Sequence, residues 1–371
     1  MTTIIKAADA AEFLALAPHL LGFTPSRSVV LVPFAGGRSL GGMRFDLPPE
    51  DADPVGFAST AMGLACRVSP VDAVLAIVYC DAAELAPPPR RELAAALETA
   101  AERCGLRLMD LLCVGTDAWT RYGPGPHPVA PLAGLPAPPP QALAENPPHP
   151  DHLAGAELPR TDLAARERVG RALQQVQRAI AVCCDGSAAG ADDRIDPAAF
   201  VAACALDDLP ALFEEALEEP PDDPYEQAAL IWCLARPSLR DVGLTAWLDG
   251  LDAGDAALDA QLRWEGGHEY PASLAERMMG EGERPDGERL RTALEVTRRL
   301  AAVAPRDVRP GPLSVCAWIA WALGRSTHAE RYAAWACEID PEHGLSRIVL
   351  SMVQAGHLPD WAFRARRDGT T

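Results

Sequence analysis

Asp81 and Asp117 each come just after a stretch that reads as a strand. In open α/β sheets ligands bind beyond the carboxyl ends of the strands, so two acids there could line a pocket. Asp is equally at home as a helix cap or turn residue, and that competes with the ligand role. Arg44 and Asp46 are two apart on a second predicted strand, so they point to one face and can hold a polar ligand or each other. A same-face charge pair on an edge strand is expected to be solvated. Ser28 and Ser187 are the candidate nucleophiles, but neither stands in the G-x-S-x-G elbow that exposes a serine at a strand-to-helix turn. With no adjacent base, nucleophilic catalysis has no support. The ligand-binding candidates of the front half are therefore Ser28, Arg44, Asp46, Asp81 and Asp117.

Two further patterns fail on chemistry. AGGRSLGG, residues 35–42, looks like a phosphate loop, yet a phosphate cradle needs a helix N-terminus and a Lys after the glycines. A second strand follows instead and there is no Lys, so the glycines read as a turn. His149 and His152 flank Asp151 in an HPDH cluster, but Pro150 prevents the helix that would join the imidazoles. Zinc needs about four ligands, or three and water, so no metal site is expected. No cofactor is implied.

Three tryptophans form the candidate partner surface near the end of the chain: Trp318, Trp321 and Trp335. Trp318 and Trp321 are three apart and face similar directions on a helix. Aromatics on a concave helical surface can anchor a partner, but large apolar residues at this spacing are more often core.

The chain has 371 residues, well beyond the roughly 100–200 of one domain, so two domains are expected. Half of it is hydrophobic, enough for real cores. A formal charge of −19 opposes nucleic acid and anionic membranes, because affinity for phosphate backbones comes from Lys and Arg releasing counterions. The N-terminus lacks the apolar core of a secretory signal, and no run approaches the ~18–20 apolar residues of a membrane span. Ten cysteines make no CxxC, and Cys66, Cys80, Cys104, Cys113, Cys204, Cys233, Cys316 and Cys337 lie in apolar runs, where Cys acts as a small hydrophobe. The expected compartment is the cytoplasm.

The elements that would position these residues alternate at first. Residues 10–20 read as a helix, Val29–Phe34 as a strand and MRFDLP as a second strand joined to it in a hairpin. A helix over Asp53–Arg67, a strand over Ala73–Tyr79, a helix over Pro89–Cys104 and a strand over Leu108–Val114 follow. Trp119–Tyr122 reads as a short edge strand. This order predicts an α/β domain over 1–122 with at least one parallel pair. Pro then dominates 123–152, an extended connector that can also lie across the first domain as an ordered arm. Residues 153–371 read as all-α, with about seven to nine helices. Its last helices form a tetratricopeptide-like hairpin: Gly324 at the turn, Ala329 and Ala336 at contacts, Pro341 at the end. One such unit is too short for a solenoid, which takes about three repeats.

With these residues in view, the chain resembles domain of unknown function family 4192, an uncharacterised and mainly actinobacterial family. One end of the likeness is HLLGFTPSRSVVLVPF followed by MRFDLP, where Gly22, Phe23, Pro25, Ser28, Arg44, Asp46, Leu47 and Pro48 take the family's places. The other is residues 317–359, AWIAWALGRSTHAERYAAWACEIDPEHGLSRIVLSMVQAGHLP. Many members carry a paired-Cys-Pro segment where this chain has GPGPHPVAP, so a metal or thiol role for those cysteines does not transfer. The resemblance implies no reaction. The functional expectation is a non-enzymatic interaction or regulatory module docking through its helices, with a small-molecule binder or enzyme using the strand ends as the alternative.

Overall fold

The computed structural model describes residues 7–125, 127–139, 147–184 and 195–364. They belong to two compact units, 1–154 together with 363–371, and 155–362. The described residues of the proline-rich stretch, with Phe363 and Arg364, thus group with the first unit.

The first unit is a mixed seven-stranded sheet with helices on both faces. Its strands are β1 (Ser28–Ala35), β2 (Arg38–Ser39), β3 (Met43–Asp46), β4 (Ala73–Tyr79), β5 (Arg107–Val114), β6 (Ala118–Arg121) and β7 (Ala130–Pro131). The order is β2-β1-β4-β5-β6-β7, with β3 also paired to β1; only β4 and β5 are parallel. β1 and β4 are apolar almost throughout because both faces are covered, which erases the usual alternation. Val29, Leu31, Val74, Ala76 and Val78 meet α2 (Pro54–Cys66) and α3 (Arg91–Arg103). Val30, Val32, Phe34, Leu75 and Ile77 meet α1 (Ala10–Leu21). Asp9 and Asp53 cap α1 and α2 by accepting from Glu12 and Val55 N–H, and Gly22 ends α1 at φ 80°. The connector is tied down: β7 pairs with β6, and Phe23 forms a bridge with His149.

The second unit is helical, with no strand among its described residues. Eleven α-helices run from Leu163–Cys184 to Gly344–Gln354 among the described residues, more than the spacing of breaks suggested. One reason is the short 3-10 turn Ala205–Asp208, which separates Pro197–Cys204 from Leu209–Glu218. The organising element is the helix Pro310–Ala322, every residue of which is buried. A helix that is apolar on all sides must sit inside its neighbours, and here it packs on Gly287–Val303, Ser326–Ile339 and Gly344–Gln354. It starts at Pro310, because Pro310 and Pro312 fall in the first turn, where no N–H is needed. Gly311 allows the close approach: a Cβ there would lie 2.6 Å from the Leu234 carbonyl oxygen. No helix among the described residues is long and apolar enough to cross a membrane.

Candidate functional site

The β1–β3 pair gathers most of the candidates. Ser28 stands opposite Asp46 and Val30 opposite Arg44, so all four side chains share one face, the side on which Val30 meets α1. Arg44 Nη2 donates to Asp46 Oδ1 at 2.5 Å. The pair is not the solvated one expected for an edge strand: the Arg44 side chain is only 10% exposed, while that of Asp46 is 84% exposed. The proline-rich arm comes near this pair. Thr24 N–H donates to the His149 carbonyl and His149 N–H to that of Gly22, which brings His152 edge-on to Phe23 and within electrostatic reach of Arg44. Ser28 Oγ, Arg44 Nε and His152 Nδ1 are buried there without a hydrogen-bond partner among the described residues.

Burial first, and then the Arg44 charge, holds His152 below its ordinary 6.5, against the opposite pull of Asp46 and Asp151. The sign follows from proton binding: below 6.5 the unfolded chain takes up a proton that folded His152 resists. The His152 contribution to stability is therefore complete above 6.5 and is lost as pH falls from there toward the lower folded value. Chemical denaturation at about pH 7.5 and about pH 5.5 is expected to show a larger acid loss in the unaltered protein than in His152→Asn. Equal losses in both would remove His152 from the account.

Asp81 and Asp117 are close in the fold but do not converge on one chemistry. The turns after β4 and β5 touch, with Thr116 N–H donating to the Ala82 carbonyl at 3.0 Å. Gly115 makes this possible, since a Cβ there would lie 2.4 Å from that carbonyl oxygen. Asp81 is engaged by Arg27 at 2.9 Å, in a pair whose side chains are 74% and 63% exposed. Asp117 lies exposed in the β5–β6 turn. Both acids thus act as turn residues.

The tryptophans divide as well. Trp318 and Trp321 are buried, and their indole N–H groups donate to the Met278 and His357 carbonyls. They have no surface to offer a partner, so the docking role considered for them is replaced by a core one. Trp335 is half-buried, with the Arg331 guanidinium 4.9 Å above its ring. Ser187 lies outside the described residues, and those residues contain no group of three or more potential metal ligands.

Two cysteines read as isolated hydrophobes turn out to be neighbours: Cys80 Sγ and Cys113 Sγ are 3.9 Å apart. The one sequence signal was their position at the carboxyl ends of two strands, which is informative only once β4 and β5 are known to be parallel neighbours. The second unit has a polar cavity of about 390 Å³ lined by Arg236, Asp307, Asp340 and His343 among others. None of its side-chain atoms is among the unpartnered buried ones.

The model of a family described as a domain of unknown function (DUF4192) matches residues 11–360. The chain belongs to this family. No curated protein and no solved structure matches it. The two segments that carried the resemblance have different roles in this DUF4192 chain: the first supplies Phe23, Ser28, Arg44 and Asp46 to the β1–β3 cluster, and the second supplies the later half of the buried helix Pro310–Ala322 and the helices Ser326–Ile339 and Gly344–Gln354.

Proposed function

We propose that this DUF4192 protein is a cytoplasmic, non-enzymatic regulatory module that binds a small acceptor-rich molecule, such as a carboxylate or phosphate, at the β1–β3 edge. The carrying observation is that Ser28 Oγ, Arg44 Nε and His152 Nδ1 are each buried without a hydrogen-bond partner among the described residues, Ser28 and Arg44 on one face of the β1–β3 pair and His152 within electrostatic reach of Arg44. Buried polar atoms are nearly always hydrogen-bonded, and each exception asks for an explanation. A guanidinium N–H, a hydroxyl and an imidazole N–H can all donate, so together they suit an acceptor. Asp46 balances the Arg44 charge, which favours a compact ligand over a highly charged one. Ser28 lacks the hydrogen-bonded base that a nucleophile needs, which supports binding over catalysis. Free thiols at all ten cysteines support a reducing compartment. The reading invokes no metal, cofactor, nucleic acid or membrane.

Ser28→Ala tests it. Deleting an unsatisfied buried hydroxyl is expected to stabilise the free protein by about 1 kcal/mol or more. The same change is expected to abolish the thermal stabilisation that small carboxylates or phosphates give the unaltered chain. A panel that never stabilises the unaltered chain would overturn the reading.

A second reading keeps the helical unit as the active part, a docking scaffold closed by a tetratricopeptide-like hairpin. Gly324 at φ 76° and the fully buried Ala329 and Ala336 fit that hairpin. Exposed Phe200 and Val201, with Leu262 and Trp264, supply apolar surface in place of the buried tryptophans. Affinity purification that recovers a partner, and loses it with Val201→Asp, would favour this reading.

A further inference from the structure

We propose that Cys80 and Cys113 form a reversible dithiol–disulfide site at the carboxyl ends of β4 and β5, oxidised by low-molecular-weight disulfides. The site lies on the α2–α3 face of the sheet, opposite the Ser28–Arg44 cluster, and does not depend on the binding reading. In β4, Val78 faces α2 and α3, so Cys80, two residues on, continues that face; in β5, Leu111 and Cys113 do the same. The sulfur atoms are 3.9 Å apart, and a bond of ~2.05 Å asks for an approach of about 2 Å. Cys80 lies just past Tyr79, the last paired residue of β4, and its N–H and thiol both donate to the Val114 carbonyl, at 2.8 and 3.4 Å, so the approach falls to rotation of the two side chains.

The two thiols are unequal, as a disulfide-exchange pair requires. Cys80 is part-exposed and Cys113 is buried. The hydrogen bond from Cys113 brings the Cys80 thiol down to about 6, helped by Ala82 N–H and Arg90 and opposed by burial and Asp81. The contact with Cys80, and then burial, pushes the Cys113 thiol up; the Tyr122 hydroxyl, which donates to the Pro89 carbonyl at 2.7 Å, lies beside it. Cys80 is thus the attacking thiolate and Cys113 the resolving thiol. Capping Cys80 removes the negative charge that raised Cys113, so the first step prepares the second. Cys66, in contact with Cys104, is the contrast within the same unit: burial pushes its thiol up to about 12 and keeps it protonated.

The exchange balances. The Cys80 thiolate attacks one sulfur of a disulfide RSSR; the S–S bond breaks, and RS⁻ leaves with the electron pair and takes a proton from solvent. Cys113 then loses its proton and attacks Cys80 Sγ, forming the Cys80–Cys113 bond and releasing the second RS⁻, which is protonated in turn. The protein dithiol is oxidised and RSSR is reduced to two RSH.

The full chain is incubated with glutathione disulfide at pH 6, quenched by alkylation and mapped by mass spectrometry. At that pH a thiol of about 6 is about half thiolate, against roughly 0.1% for one at the ordinary 9.0. The lower intrinsic nucleophilicity of the more acidic thiolate takes back about 16- to 30-fold of that advantage. Cys80 is therefore expected to react about 15- to 30-fold faster than a cysteine model peptide, with a Cys80–Cys113 disulfide as product that dithiothreitol reverses. Cys113→Ala is expected to stop at a glutathione mixed disulfide on Cys80. Reaction no faster than the peptide, or oxidation of the unaltered chain that ends at the mixed disulfide, would overturn the proposal.

Discussion

Trp321→Ala is expected to destabilise the helical unit by about 3–5 kcal/mol, the cost of emptying a fully buried tryptophan site. Trp321 has no exposed surface, and its ring lies against Trp318, Trp361 and His357 at centroid distances of 6.1, 6.4 and 6.0 Å. Gly280 is shaped around the same ring: a Cβ there would come within 2.5 Å of it. Neighbours fitted this closely collapse poorly into a void, which places the loss in the upper part of the range. Trp321→Phe keeps most of the volume and removes the donor to the His357 carbonyl, so a smaller loss of about 1–2 kcal/mol is expected. Urea unfolding followed by circular dichroism measures both. Against a typical total of 5–15 kcal/mol, this leaves about 0–12 kcal/mol, so the alanine variant would be partly unfolded in water only if the unit stands at the low end of that range. An alanine variant with an unchanged midpoint would refute the placement of this hairpin at the centre of the unit.

Arg289→Met is the second large effect, about 2–4 kcal/mol, toward the low side for breaking a buried pair because the group is partly exposed. Arg289 Nε donates to the Trp247 carbonyl at 3.0 Å and Nη2 to that of Ala246 at 2.8 Å, and the guanidinium also pairs with Glu214. The two side chains are 25% and 19% exposed, so their pair is far better shielded than that of Arg27 and Asp81. The carbonyls belong to the last turn of the helix Pro237–Asp249, where the helix end favours a cation, although that of Ala246 also accepts from Gly250 N–H at 2.8 Å. Met matches the aliphatic stem of Arg but leaves both carbonyls and the Glu214 charge without this partner. A double variant, Arg289→Met with Glu214→Gln, is expected to recover part of the loss, since it removes the stranded charge. A single-variant loss below about 0.5 kcal/mol would mean that the cluster acts like an ordinary surface charge.

The regular elements were legible from the letters because their signals are local. The strand Ala73–Tyr79 is read at its observed bounds, as a β-branched run ended by turn residues. The helix Pro54–Cys66 follows from Asp53 and Pro54, a cap and a first-turn proline adjacent in sequence. Pro310 was harder. It opens the central helix, yet a proline signals both an end and a beginning and only packing decides which. The site was half legible: Arg44 and Asp46 were picked from strand parity and Ser28 as a candidate nucleophile, but His152 was set aside with the metal reading. The arm that brings it to Arg44 is joined by backbone bonds between Gly22, Thr24 and His149, and such pairing leaves no mark on side-chain chemistry.

By itself, the sequence determined that the strands fall in the front stretch and are followed by a helical one, that the surface is strongly acidic, and that Pro310–Ala322 has no polar face to give to water. Those properties belong to neighbouring residues or to the sum of all of them. The tertiary structure alone decided that Trp318 and Trp321 are core, that Arg44 is covered while Asp46 is not, and that Cys80 lies 3.9 Å from Cys113. Each of these depends on which distant segment packs against which face, and that choice is made by burial of the whole surface together.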